Sequence, residues 1–173
     1  SSNKMNLEEF IDTASDLGIE GVELTAYYFP STDRQYLNSL KRHCLIRGVD
    51  ISGVAVGSKL TLANDDERTE QVEMVKEWLV HARTLGAPAL RVFAGITPEG
   101  HSDEEAFDWA VASLKECVPV AAENGVVMAL ENHGGITTTS AQVIRLVETV
   151  NSEWFKVNLD TGNYGLDPKV DPY

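Results

Sequence analysis

Four times in 173 residues the chain runs through the same unit: a helical pattern, a glycine, and then a short strand rich in β-branched residues. The copies read FIDTASDLGIEGVELT, LKRHCLIRGVDISGVAV, WLVHARTLGAPALRVFA and VAAENGVVMALE. Their glycines, Gly18, Gly48, Gly86 and Gly125, lie 30, 38 and 39 residues apart, which leaves room for one strand, one helix and two loops. Helix starts carry a separate mark. Asn6 with Glu9, Ser102 with Glu105 and Thr139 with Gln142 have capping-box spacing, in which two side chains satisfy orphan amides reciprocally. Strands are expected at 21–25, 50–56, 89–94, 126–131 and 155–160, each followed by a helix except the last. Crossover helices of this length make them all parallel. Pro119, inside the helical pattern 103–124, is expected to kink or split that helix.

Alternation along the strands separates two faces. Val22, Leu24, Val54, Val56, Leu90, Val92, Met128, Leu130, Val157 and Leu159 form an apolar face suited to covering helices. The other face carries Glu23, Gly53, Ala55, Arg91, Phe93, Ala129, Glu131, Asn158 and Asp160. A flat sheet covered on both sides would deny those charges solvent, whereas a barrel tolerates polar groups near its C-terminal mouth. The fold class expected is therefore α/β of the (βα)8 TIM-barrel type. Five strands do not close a barrel that usually takes about 250 residues. The expectation is a single domain over 1–173, a partial barrel of about five parallel strands with alternating helices, lacking the first strand and the last three. The tail LDPKVDPY, with its repeated Asp-Pro, is a candidate join between separated segments.

Charge narrows the partners. Fourteen Lys and Arg against 27 Asp and Glu give a net charge of −13, which repels nucleic acid and anionic lipid. No apolar run is long enough for a membrane span, and SSNKMNLEEF lacks the pattern of a signal peptide. Cys44 and Cys117 have no metal-ligand spacing and read as packed, reduced thiols. Together these point to a soluble, cytoplasmic protein, although a signal peptide already removed leaves no trace.

The chemistry gathers at two strand tips. Glu131 and Asp160 each end an apolar run and belong to the inward set. On neighbouring strands, about 4.8 Å apart, two such carboxylates reach one cation. Without a cation they repel each other. Hard oxygen ligands suit Mg2+ or Mn2+, and an added histidine favours Mn2+, Co2+ or Zn2+. A purely structural reading stands beside this one: acidic residues also end strands as caps, and Arg91 can pair with Glu131 or Glu23 inside a barrel. His133 reads equally as a free loop residue or a substrate contact. Gly134 and Gly135 make either a turn or a phosphate cradle. His43, His81 and His101 read as surface residues.

GVELTAYYFPSTD, ISGVAVG, LRVFAG, ALENHGG and VNLDTGN, in this order and spacing, resemble the sugar phosphate isomerase/epimerase family of xylose isomerase-like barrels. The resemblance implies a divalent metal (Mn2+, Mg2+, Co2+ or Zn2+) held by Glu131 and Asp160, with a histidine and a second glutamate on strands outside this chain. It implies proton abstraction beside a carbonyl through an enediolate, with Glu131 as an acid/base group and His133, Asn132, Glu23 and Arg91 as substrate contacts. The implied substrate is a small sugar or keto-sugar, free or phosphorylated. A lyase of the same family, a dehydratase or 3-keto-sugar deglycosidase, is the alternative, and a non-catalytic carbohydrate-binding barrel is the third reading. A homo-oligomer would let another copy cover the open sheet edges. Two departures from the family pattern count against a multi-zinc nuclease site and leave one loop without a role: Asn163 stands where many relatives have histidine, and GSKLT replaces an Asn-rich loop.

Overall fold

A computed structural model describes residues 5–164. Five strands form one parallel sheet in sequential order: β1 (Gly21–Thr25), β2 (Asp50–Ala55), β3 (Ala89–Val92), β4 (Val127–Glu131) and β5 (Phe155–Asn158). Helix α1 (Leu7–Asp16) precedes β1, and α2 (Arg34–Arg47), α3 (Asp65–Leu85), α4 (Asp103–Asn124) and α5 (Ser140–Val150) make the crossovers. All three expected capping boxes are formed, and Gly48, Gly86 and Gly125 end their helices in the left-handed conformation. Among the described residues no helix is long and apolar enough to cross a membrane. The tail LDPKVDPY lies outside the described residues.

The two faces separate as the alternation requires. From Val22 to Leu130 every residue of the apolar set is buried beneath the helices, against Ile11, Leu37, Leu40, Leu79, Leu114 and Leu146. Both cysteines are free and buried. On the inner face Gly53 and Ala55 leave space on β2 beside Glu23, whose Oε2 would lie 3.7 Å from a Cβ placed on Gly53.

Three expectations need correction. α4 runs on as one helix of 22 residues, so Pro119 does not split it; Pro119 and Lys115 both lie on its exposed side, where water can bond the carbonyl that the ring leaves without a donor. β5 is followed by a one-turn helix, α6 (Thr161–Tyr164), started by Asp160, whose Oδ1 accepts the N–H groups of Gly162 and Asn163. Val157 and Leu159, assigned to the covered face, are 43% and 62% exposed, because among the described residues β5 is an edge strand with α5 packed beside it.

Candidate active site

The C-terminal ends of the strands deliver the inward polar residues to one cavity of about 470 Å³. Glu23, Arg91, Glu131, His133, Asn158 and Asp160 all reach it. Glu131 is the last residue of β4 and pairs in register with Asn158, so Asp160 stands two residues further along, on the same face, past the end of β5. The two carboxylates are thus diagonal neighbours rather than direct opposites.

Glu131 is only 7% exposed, and donors surround it. The Arg91 guanidinium lies 2.9 Å from Oε2, and the Asn158 amide 3.5 Å from the same atom. Oε1 meets Nδ1 of His133 at 3.0 Å and accepts from Asn163 Nδ2 at 3.2 Å. With a carboxylate as partner, Nδ1 is the ring nitrogen that carries the proton. Arg91 also donates through Nε to Glu23 Oε1 at 3.0 Å, so the structural pairing read from the sequence is realised with both carboxylates at once. The guanidinium lies 4.8 Å above the Phe93 ring, and that ring stacks on His133 at 4.4 Å with 25° between planes.

Asn132 directly follows the last residue of β4. It is 1% exposed, and both ends of its amide are engaged by Asp160: Nδ2 donates to the Asp160 carbonyl and Oδ1 accepts its N–H, each at 2.8 Å. It therefore ties the end of β4 to the end of β5 and sets the position of the aspartate. Gly134 and Gly135 make a tight turn, closed by the Thr137 N–H donating to the Gly134 carbonyl at 3.0 Å, and do not form an open cradle. His43 and His101 pair on the surface with Asp12 and Glu105. His81 departs from a surface role, with a side chain 14% exposed and packed edge-on against Trp78 at 5.2 Å.

Phe93 and Asn158 were not among the candidate site residues, and Asn163 entered only as the residue standing where many relatives have histidine. Parity put Phe93 and Asn158 on the inner face, but no local signal foretold that Asn163 would fold back onto Glu131 from α6. Glu131 and Asp160 offer hard oxygens to a common space, a donor set that fits two ligands of a divalent cation. Among the described residues no third His, Cys, Asp or Glu completes a metal-holding group around them.

A family model described as xylose isomerase-like TIM barrel matches residues 11–171. The fold is similar to that of D-psicose 3-epimerase from Clostridium cellulolyticum H10, solved with D-tagatose: TM-score 0.83 at 19% identity, covering 97% of this chain and 62% of that one. It is also similar to the IolI protein with a bound zinc atom (TM-score 0.80, 21% identity, 92% and 59% covered). A probable 3-DHS dehydratase, AsbF of Bacillus anthracis, gives a TM-score of 0.76 at 21% identity, with 99% and 63% covered. The chain thus spans less than two thirds of each of these proteins. No protein with a curated description matches it in sequence.

Proposed function

The chain belongs to the family of xylose isomerase-like TIM barrels, and from that premise we propose that it carries half of the metal site of a divalent-metal-dependent sugar isomerase or epimerase. In this reading it supplies five strands of the barrel, with one strand before them and three after supplied by further chain. The observation that carries the proposal is the cavity shared by Glu131 and Asp160 at the ends of adjacent strands. Mn2+, Mg2+, Co2+ or Zn2+ suits their hard oxygens, with the remaining ligands from outside the described residues. Bound there, such an ion would polarise a substrate carbonyl and acidify the neighbouring C–H.

The chain's own residues supply the rest. In this reading Glu131 takes a proton from that carbon, and the 3.0 Å contact of its Oε1 with Nδ1 of His133 links it to a ring 55% exposed at the mouth. Arg91 and Asn158 hold the other oxygen, so the carboxylate cannot swing away as substrate enters. Asn132 holds Asp160 through the backbone. Proton return to the opposite face of the same carbon gives an epimer, and return to the adjacent carbon gives an isomer. A keto-sugar is the substrate class, in keeping with the similarity to the psicose epimerase. A lyase reaction, loss of a β-hydroxyl after the same proton abstraction, is the second reading and draws on the likeness to the probable dehydratase.

The test uses the full-length protein in D2O with Mn2+ and a panel of ketohexoses and ketopentoses, followed by NMR. Deuterium should enter at the carbon beside the carbonyl, and Glu131→Gln should lower that exchange by about 100-fold or more while weakening Mn2+ uptake in calorimetry. Unchanged exchange and unchanged Mn2+ affinity in the variant would eliminate the proposal. Release of a dehydrated product would select the lyase.

A further inference from the structure

Phe93 stands past the end of both ladders that hold β3: the pairing with β2 ends at Ala55 and Arg91, and that with β4 at Leu130 and Val92. A side chain holds its main chain instead. The Ser58 hydroxyl, from the loop after β2, accepts the Phe93 N–H at 2.9 Å and donates to the Phe93 carbonyl at 2.7 Å. Ser58 is 2% exposed, and its one proton is spent on that carbonyl.

The ring fixed in this way backs both groups that grip Glu131. His133, stacked on it at 4.4 Å, meets Oε1 at 3.0 Å, and Arg91, whose guanidinium lies 4.8 Å from the ring centroid, meets Oε2 at 2.9 Å. Phe93 is thus a common support for the partners of the two oxygens. Phe93 and His133 also border an apolar groove of about 590 Å³ beside the first cavity, walled by Leu62, Ile96 and Pro98. Open space faces the two rings there, and an aromatic stack alone is a weak restraint.

We propose that Ser58 is a positioning residue for the proton transfer: by clasping the main chain of Phe93 it holds the His133 ring against Oε1 of Glu131. This rests on reading Glu131 as the group that takes the substrate proton. It gives a task to GSKLT, the loop that departs from the family pattern.

Proton NMR of the His133 ring in the full-length protein, assigned by its loss in His133→Gln, tests the clasp. The face of Phe93 shields protons stacked on it, and Phe93→Leu marks where the His133 signals fall without that shielding. Ser58→Ala should move them toward the Phe93→Leu position, and Ser58→Thr, which keeps the hydroxyl, should return them toward wild type. The signals of His43 and His81 should stay in place throughout, which checks the fold. With the ketose exchange assay, Ser58→Ala should lower kcat about tenfold or more while KM changes little, because placement and not binding is lost. His133 signals unmoved by Ser58→Ala, or moved equally by Ser58→Thr, overturn the clasp. Moved signals with kcat intact overturn its part in proton transfer. No exchange by the wild-type protein overturns the reading of Glu131 and the kinetic half with it, and the NMR comparison then decides the placement of the ring by itself.

Discussion

Glu131 has four nitrogen neighbours around two oxygens, and the nearest belongs to Arg91 at 2.9 Å. Burying a carboxylate without partners is costly, and this one draws them from four places in the chain, of which only His133 is a near neighbour in sequence. A cation arriving at Glu131 must share it with the guanidinium, which remains tied to Glu23 at 3.0 Å if it gives way. Residues away from the mouth titrate for a different reason. Burial pushes the thiol of Cys117 up to about 12 and that of Cys44 to about 11. A thiol in the unfolded chain titrates near pH 8.5, so the fold favours the protonated form. The resulting stabilisation is complete below about pH 8.5 and is lost as the pH climbs toward the folded values. Urea denaturation from about pH 8 to 11 should therefore show falling stability, and Cys117→Ala should flatten the decline. An identical slope in the variant would place the alkaline loss elsewhere.

The helix ends were legible because capping is a local affair. Asn6, Ser102 and Thr139 each bond an amide three residues on, and nothing distant is needed to recognise the pattern. Pro119 misled for the opposite reason: whether a helix survives proline depends on what surrounds the freed carbonyl, and here that side is exposed. The loops above the strands were not legible, since they are shaped by one another. The N–H of Leu60 donates to the Ala94 carbonyl at 2.7 Å, and that of Ile136 donates to the Gly95 carbonyl at 3.2 Å, locking three successive loops into one rim. Gly135 lies where the rim is tightest, at φ +56° with the Gly95 oxygen 2.2 Å from where a Cβ would stand. Gly134, at φ +74°, has nothing within 4 Å of the same point. Gly134→Ala should cost only the left-handed backbone, about 1–2 kcal/mol. Gly135→Ala adds displacement of a neighbouring backbone and should cost at least about 2 kcal/mol more, with disturbed His133 resonances. Equal losses in urea melts would mean that the loops are not locked together.

At the scale of the whole molecule the described sheet is open, with β1 and β5 each paired on one side only. Edge strands template further pairing, and the exposed Val157 and Leu159 add apolar surface beside one of them. The 173-residue chain by itself should therefore self-associate with rising concentration in sedimentation velocity. A monomer at every concentration would show that these edges are protected by other means. The sequence by itself determined the repeat, the parallel direction of the strands, the inner and outer faces, and the place of Glu131 and Asp160 at the inward ends of successive strands. Each of these follows from spacing within one element or from the parity of a strand, which a side chain's near neighbours in the chain dictate. Only the tertiary structure decided that Arg91 bridges two carboxylates, that Asn163 returns to Glu131, that Asn132 holds Asp160, and that an apolar groove adjoins the polar one. Those contacts join residues 28 to 68 positions apart, and their geometry depends on strand register and loop packing, which no local pattern encodes.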